Sequence, residues 1–148
     1  MDHKQEVVEK LNDLIQKNFD ACEGYKKAAE KAKAPALKSF LNDYSVQRDQ
    51  FVSDLRNEIV LLGGEPEASG TLAGDAHRAW MDMKTALSSD KDEAVLEECM
   101  TGEQAALSEY QEVLQETYFP SSTENILRNQ YQAVENAYSR IKTLEEIV

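Results

Sequence analysis

Four long helices arranged as two hairpins are what this sequence predicts, an all-α bundle, and three observations predict it. Apolar residues recur at intervals of three, four and seven over most of the chain, and no segment keeps the strict alternation of a strand. The three prolines, Pro35, Pro66 and Pro120, sit where helices begin or have ended. The spacers between the stripes are unequal, short near Pro35 and Pro120 and long between Gly63 and Ser89.

The first stripe runs through Val8, Leu11, Ile15, Cys22, Tyr25 and Ala29 and predicts helix A over residues 3–33. Asp2 with Gln5 three positions on forms a capping box, and Lys26, Lys27, Lys31 and Lys33 set positive charge against the C-terminal end of the helix dipole. Pro35 suits the first turn of helix B, whose stripe is Leu37, Leu41, Tyr44, Phe51, Leu55, Ile59 and Leu62, stopped by Gly63-Gly64. So short a link folds A and B back on each other as an antiparallel hairpin.

Asp90 and Glu93 read as a capping box for helix C, with the stripe Val95, Leu96, Cys99, Ala106, Leu107, Tyr110, Val113 and Leu114. Ser121 and Glu124 read as a second box, opening helix D with Leu127, Val134, Ala137, Ile141, Leu144 and Val148. C and D make the second hairpin. Between the hairpins, Ala76, Trp80, Met83 and Leu87 mark a short helix in the connector. Helices of about 28 residues are ~42 Å long, and a short helix plus extended chain can cover that distance. Helices B and C can then run parallel, and a long B–C crossover between two antiparallel hairpins is the arrangement of ferritin-like bundles. The whole chain, 1–148, is expected to form one such domain.

Composition narrows the function classes. Sixteen Lys and Arg stand against 28 Asp and Glu, a formal charge of −12, which disfavours nucleic acid and anionic membrane surfaces as partners. The charged start, Met1 to Glu6, has no apolar signal region, and no apolar run is long enough to span a bilayer, which points to the cytoplasm. Cys22 and Cys99 lie on apolar stripes without a Cys-x-x-Cys pattern and read as buried free thiols. Neither a nucleophile motif beside His77 nor a phosphate-binding glycine loop is present.

Chemistry in a four-helix core must come from polar residues that interrupt the stripes. These are Asn18 with Glu23 beside it in A, Gln47 and Arg48 in B, Glu103 in C, and Gln130, with Glu135 and Tyr138 further on, in D. Counted from the turns, Glu23, Gln47, Glu103 and the Glu135–Tyr138 region fall near one height, so one polar layer can draw on all four helices. Two readings follow. One is a hydrogen-bonded layer that fixes helix register, with Glu23 paired to Arg48. The other is a metal site of oxygen ligands, Glu23, Gln47, Glu103, Gln130, Glu135 and Tyr138, suited to Mn²⁺, Fe²⁺ or Ca²⁺. A dinuclear centre of the ferritin kind wants Glu-x-x-His pairs, and none occurs; Tyr138 stands where a histidine belongs. His77, on the connector, is a separate candidate for a pH- or metal-sensing group.

Leu11-Asn12-Asp13-Leu14, Glu23-Gly24-Tyr25, Gln47-Arg48, Leu62-Gly63-Gly64-Glu65-Pro66, His77-Arg78-Ala79-Trp80, Gly102-Glu103 and Gln130-Tyr131 together resemble a bacterial family of ferritin-like four-helix proteins of no established activity. The resemblance implies the fold and a loose relation to proteins of stress response and metal handling. It also implies that Glu23, Gln47, Glu103 and Gln130 hold family positions, with histidine often near the position of Tyr138. The expectation is a non-catalytic bundle acting by protein interaction or self-association, with no cofactor. The alternative is a divergent metal-binding protein or metal-dependent oxidoreductase using Fe or Mn in the core.

Overall fold

The computed structural model describes residues 2–67 and 91–147. They form α1 (His3–Lys31), α2 (Pro35–Leu61), α3 (Asp92–Glu116) and α4 (Ser121–Ile147), with no strand among the described residues. The short helix read from Ala76 to Leu87 lies outside them, as do Asp90, His77 and Val148.

Local chemistry sets most of the ends. The Asp2 carboxylate accepts from the Gln5 amide at 2.8 Å and the Gln5 side chain accepts from the Asp2 amide, closing the capping box that starts α1. Pro35 occupies the first turn of α2, where its missing N–H costs nothing. Two ends differ from the sequence reading. The cap position of α3 is Lys91, whose side chain caps nothing, and Asp92 instead accepts from the backbone amides of Lys33 (2.7 Å) and Ala34 (3.2 Å) in the α1–α2 turn. This tertiary contact ties the first residue of α3 to the α1–α2 turn, while Asp90, the expected cap, lies outside the described residues. Ser121 is itself helical, and the Glu124 amide donates to the Pro120 carbonyl at 2.9 Å, so the helix starts one residue earlier than a Ser121 cap would set it.

The end of α2 is a glycine stop. Gly63 takes φ +81°, its amide donates to Val60 and the Gly64 amide to Ile59, so the paired bonds of a Schellman turn satisfy the last carbonyls. Gly64 then passes against α1 so closely that a Cβ there would lie 2.7 Å from Val8 Cγ2.

These contacts fix the helix directions. Asp92 places the start of α3 at the α1–α2 turn, which is also where α2 starts, so α2 and α3 run the same way. At the opposite pole, Gly64 meets Val8, Glu58 meets Thr123, and the rings of His3 and Tyr118 lie 6.3 Å apart. The end of α2 and the start of α3 therefore lie at opposite poles.

The core divides into two apolar clusters. One, toward the α1–α2 turn, contains Tyr25, Leu41, Tyr44, Leu96, Cys99 and Ile141. The other contains Leu11, Ile15, Phe51, Leu55, Tyr110 and Leu127. Arg48 falls between Tyr44 and Phe51 on α2, and Glu103 between Cys99 and Ala106 on α3, so the boundary of the clusters is polar.

Candidate functional site

At that boundary the Arg48 guanidinium and the Glu103 carboxylate form a two-pronged ion pair. Nη1 donates to Oε1 at 2.7 Å and Nη2 donates to Oε2, and both side chains have 0% exposure. The planar fork of arginine matches the two carboxylate oxygens, which is the geometry in which such a pair is strongest. Aromatic rings close it off, with Tyr25 5.6 Å and Phe51 5.7 Å from the guanidinium carbon. Burial and the neighbouring Glu103 charge push the Tyr25 hydroxyl well above the usual phenol range.

A second chain of polar groups ties the remaining helices in. Asn18 Nδ2 donates to the Leu14 carbonyl at 2.9 Å and lies 2.8 Å from the Tyr110 hydroxyl, which donates to Gln130 Oε1 at 2.6 Å. All three residues are buried, and burial raises the Tyr110 hydroxyl as well. Gln130 Nε2 is buried and makes no hydrogen bond among the described residues. The layer thus takes Asn18 and Tyr25 from α1, Arg48 from α2, Glu103 and Tyr110 from α3, and Gln130 from α4.

Of the residues singled out from sequence, Asn18, Arg48, Glu103 and Gln130 belong to this layer. Glu23 does not: its side chain is 43% exposed and lies 3.5 Å from Lys26, one turn along the same helix. The expected Glu23–Arg48 pair is therefore replaced by Glu103–Arg48. Glu23 stands one position round from Cys22, which rotates it off the buried face, while Glu103 stands four residues from Cys99, directly in line on the stripe. Gln47 sits half-buried at the edge, its Oε1 accepting from Arg48 Nε at 3.4 Å. Tyr138 is also at an edge, accepting from Gln104 Nε2 at 3.0 Å, and Glu135 is half-buried on α4. His77 lies outside the described residues.

Among the described residues, the donors of this layer do not form the set that a dinuclear carboxylate centre needs. Such a centre needs free carboxylate oxygens converging on one point. Both Glu103 oxygens are bound by Arg48, Glu23 faces Lys26 and solvent, and the α2 position level with Glu103 is filled by the cation itself. Carboxylates do converge elsewhere: oxygens of Glu93, Glu97 and Glu145 lie within 4.8 Å of one another near the α1–α2 turn end. Desolvation, then the charges of Glu97 and Glu93, raise the Glu145 carboxyl. Glu93 and Glu97 are exposed, and clustering of this sort is ordinary in a chain of charge −12.

Several buried polar residues went unread in the sequence. Thr123 Oγ1 donates to Glu58 Oε1 at 2.6 Å, joining α4 to α2. Asn12 donates to the Glu65 carbonyl at 3.2 Å and accepts from the Glu67 amide at 2.9 Å, fastening the chain beyond α2 onto α1. Ser45 donates to the Cys22 carbonyl at 3.0 Å. Glu58 had a signal, since it adjoins Ile59 and sits three residues from Leu55 on the α2 stripe. Cys22 and Cys99 are both buried and free.

A comparison with curated proteins gives no match. A family model described as a domain of unknown function, DUF2383, matches residues 6–116, which take in α1, α2 and α3 with Asn18, Tyr25, Arg48, Glu103 and Tyr110. The match spans well over half of the chain, and the protein belongs to the DUF2383 family.

Proposed function

We propose that this protein is a non-catalytic, ferritin-like bundle in which the guanidinium of Arg48 takes the core position that a metal cation would hold, and that it acts through its surface. The observation that carries the reading is the two-pronged Arg48–Glu103 pair, which uses both oxygens of the one fully buried carboxylate in the described core. A ferritin-like relationship is supported by the parallel course of α2 and α3 between two antiparallel hairpins. An oxygen-ligand Fe or Mn site is the competing reading, and it requires Arg48 to swing away from Glu103. Oxidase assay separates the two. Fe²⁺ oxidation under air should proceed no faster with the protein than with its Glu103→Ala variant; a rate that depends on Glu103 would refute the non-catalytic reading.

Action through the surface has its own support at one pole. Val60 (60% exposed) and Leu61 (79%) end α2, and Tyr118 (83%) sits in the α3–α4 turn at the same pole. Exposed large apolar side chains gathered in this way favour self-association or a protein partner. No helix among the described residues is long and apolar enough to cross a membrane. Sedimentation equilibrium should show association that Leu61→Asp weakens, and a monomer mass constant with concentration would remove self-association from the account.

A further inference from the structure

Among the described residues, the seam between α2 and α4 is incompletely filled by its side chains. α4 presents Ala133, Asn136 and Ser139 to it, all small or short, opposite Tyr44 and Gln47 of α2. A solvent-open depression of about 440 Å³ results, and it adjoins a second of about 380 Å³ that runs on between Phe40 and Leu144. The two share Ser139 and Arg140, so they form one groove, of a size that suits a small organic ligand.

Its two halves differ in chemistry. The first half carries donors: the Arg140 guanidinium, the amides of Gln47 and Asn136, and the hydroxyls of Ser139 and Tyr44. The second is bounded by Phe40, which stands edge-on to Tyr44 with ring centroids 4.8 Å apart, and by Leu144. Arg140, at the junction, makes no ion pair or hydrogen bond among the described residues, although the chain has 28 acidic residues to 16 basic ones. An exposed guanidinium that meets no carboxylate among the described residues, and that borders a groove of neutral donors, is placed for an anion.

We infer that the α2–α4 groove binds a small organic carboxylate with an apolar tail. Its head would be held by the Arg140 fork with Asn136, Ser139 and Gln47 as supporting donors, and its tail would lie along Phe40 and Leu144. Gln47 also accepts from Arg48 Nε, so the head of the ligand would sit one side chain away from the buried ion pair. The inference stands on the groove and Arg140 and does not depend on the association pole.

Octanoate is a suitable probe, titrated into ¹⁵N-labelled full-length protein while amide shifts are followed. Saturable shifts confined to residues 40–47 and 133–144 are expected, with Arg140→Gln weakening binding about tenfold, the scale of a lost charge-assisted fork. The exposed Lys142→Gln variant, two residues on and round the other side of α4, should bind as the parent does. Ser139→Phe, also exposed, should block the groove without disturbing the fold. 1-Octanol, with the tail but no charge, should bind much more weakly than octanoate. Absence of saturable shifts, shifts mapping elsewhere, or equal binding by Arg140→Gln or by octanol would each overturn the inference.

Discussion

Arg48 and Glu103, on parallel helices and 55 residues apart in sequence, hold each other by two hydrogen bonds with neither side chain exposed. Each is affordable inside the core only because the other is there. Removing one leaves an uncompensated buried charge, which costs about 3–5 kcal/mol, whereas replacing both with apolar residues of similar volume is often neutral or favourable. Glu103→Leu alone should therefore lower the urea midpoint severely, and Arg48→Met with Glu103→Leu should recover most of the loss. If the double variant is as unstable as the single ones added together, the two residues are not energetically coupled and the layer is misread.

Tyr110 joins three helices through one hydroxyl. Tyr110→Phe leaves Asn18 Nδ2 and Gln130 Oε1 without that partner in a buried site and should cost about 1–3 kcal/mol. Denaturant unfolding at neutral pH measures it, and a loss near zero would mean that water replaces the hydroxyl.

The hydroxyls of Tyr25 and Tyr110 are both raised above the usual phenol value, in each case by burial first. A group whose pKa is raised on folding keeps a proton that the unfolded chain loses. Its contribution is complete below the unfolded value of about 10 and disappears as pH rises above it. Stability should fall steeply above about pH 10, with phenolate absorbance from these two residues appearing together with unfolding. Gradual ionisation of all six tyrosines in a protein that stays folded would contradict their burial.

Gly64 is a packing glycine. A methyl group there would meet Val8 Cγ2 at 2.7 Å and Cγ1 at 3.0 Å, with Ile59 Cγ2 at 3.2 Å. Gly64→Ala should cost about 1–3 kcal/mol by overpacking, and Val8→Ala in the same chain should return part of it. Thermal melts of the two single variants and the double decide the point, since additive losses would show that the two sites do not touch.

The four helices were legible because three-four spacing, prolines at helix ends and a Gly-Gly stop are local signals, and all of them agree. The Asp2 box could be read for the same reason. Asp92 could not, because its carboxylate is claimed by Lys33 and Ala34 amides that only the folded chain brings near. The polar layer was legible in part. Asn18, Arg48, Glu103 and Gln130 interrupt the stripes, whereas Glu23 lies one residue off and a rotation of about 100° per residue carries it to the surface. Which acid would meet Arg48 depended on how α2 and α3 face each other, and no local pattern carries that. Thr123 and Asn12 were missed because a hydroxyl in a first turn, or an amide on a solvated-looking face, has meaning only against its tertiary partner.

Metal content tests the central claim most directly. The protein, purified without chelator, is incubated anaerobically with Fe²⁺ or Mn²⁺, desalted and analysed beside Glu103→Ala. With Arg48 serving as the cation of the core, neither metal should be retained in a stoichiometric amount that depends on Glu103. One or more ions per chain, present in the parent and lost in Glu103→Ala, would show that Glu103 is a metal ligand and that Arg48 is a gate on a working site.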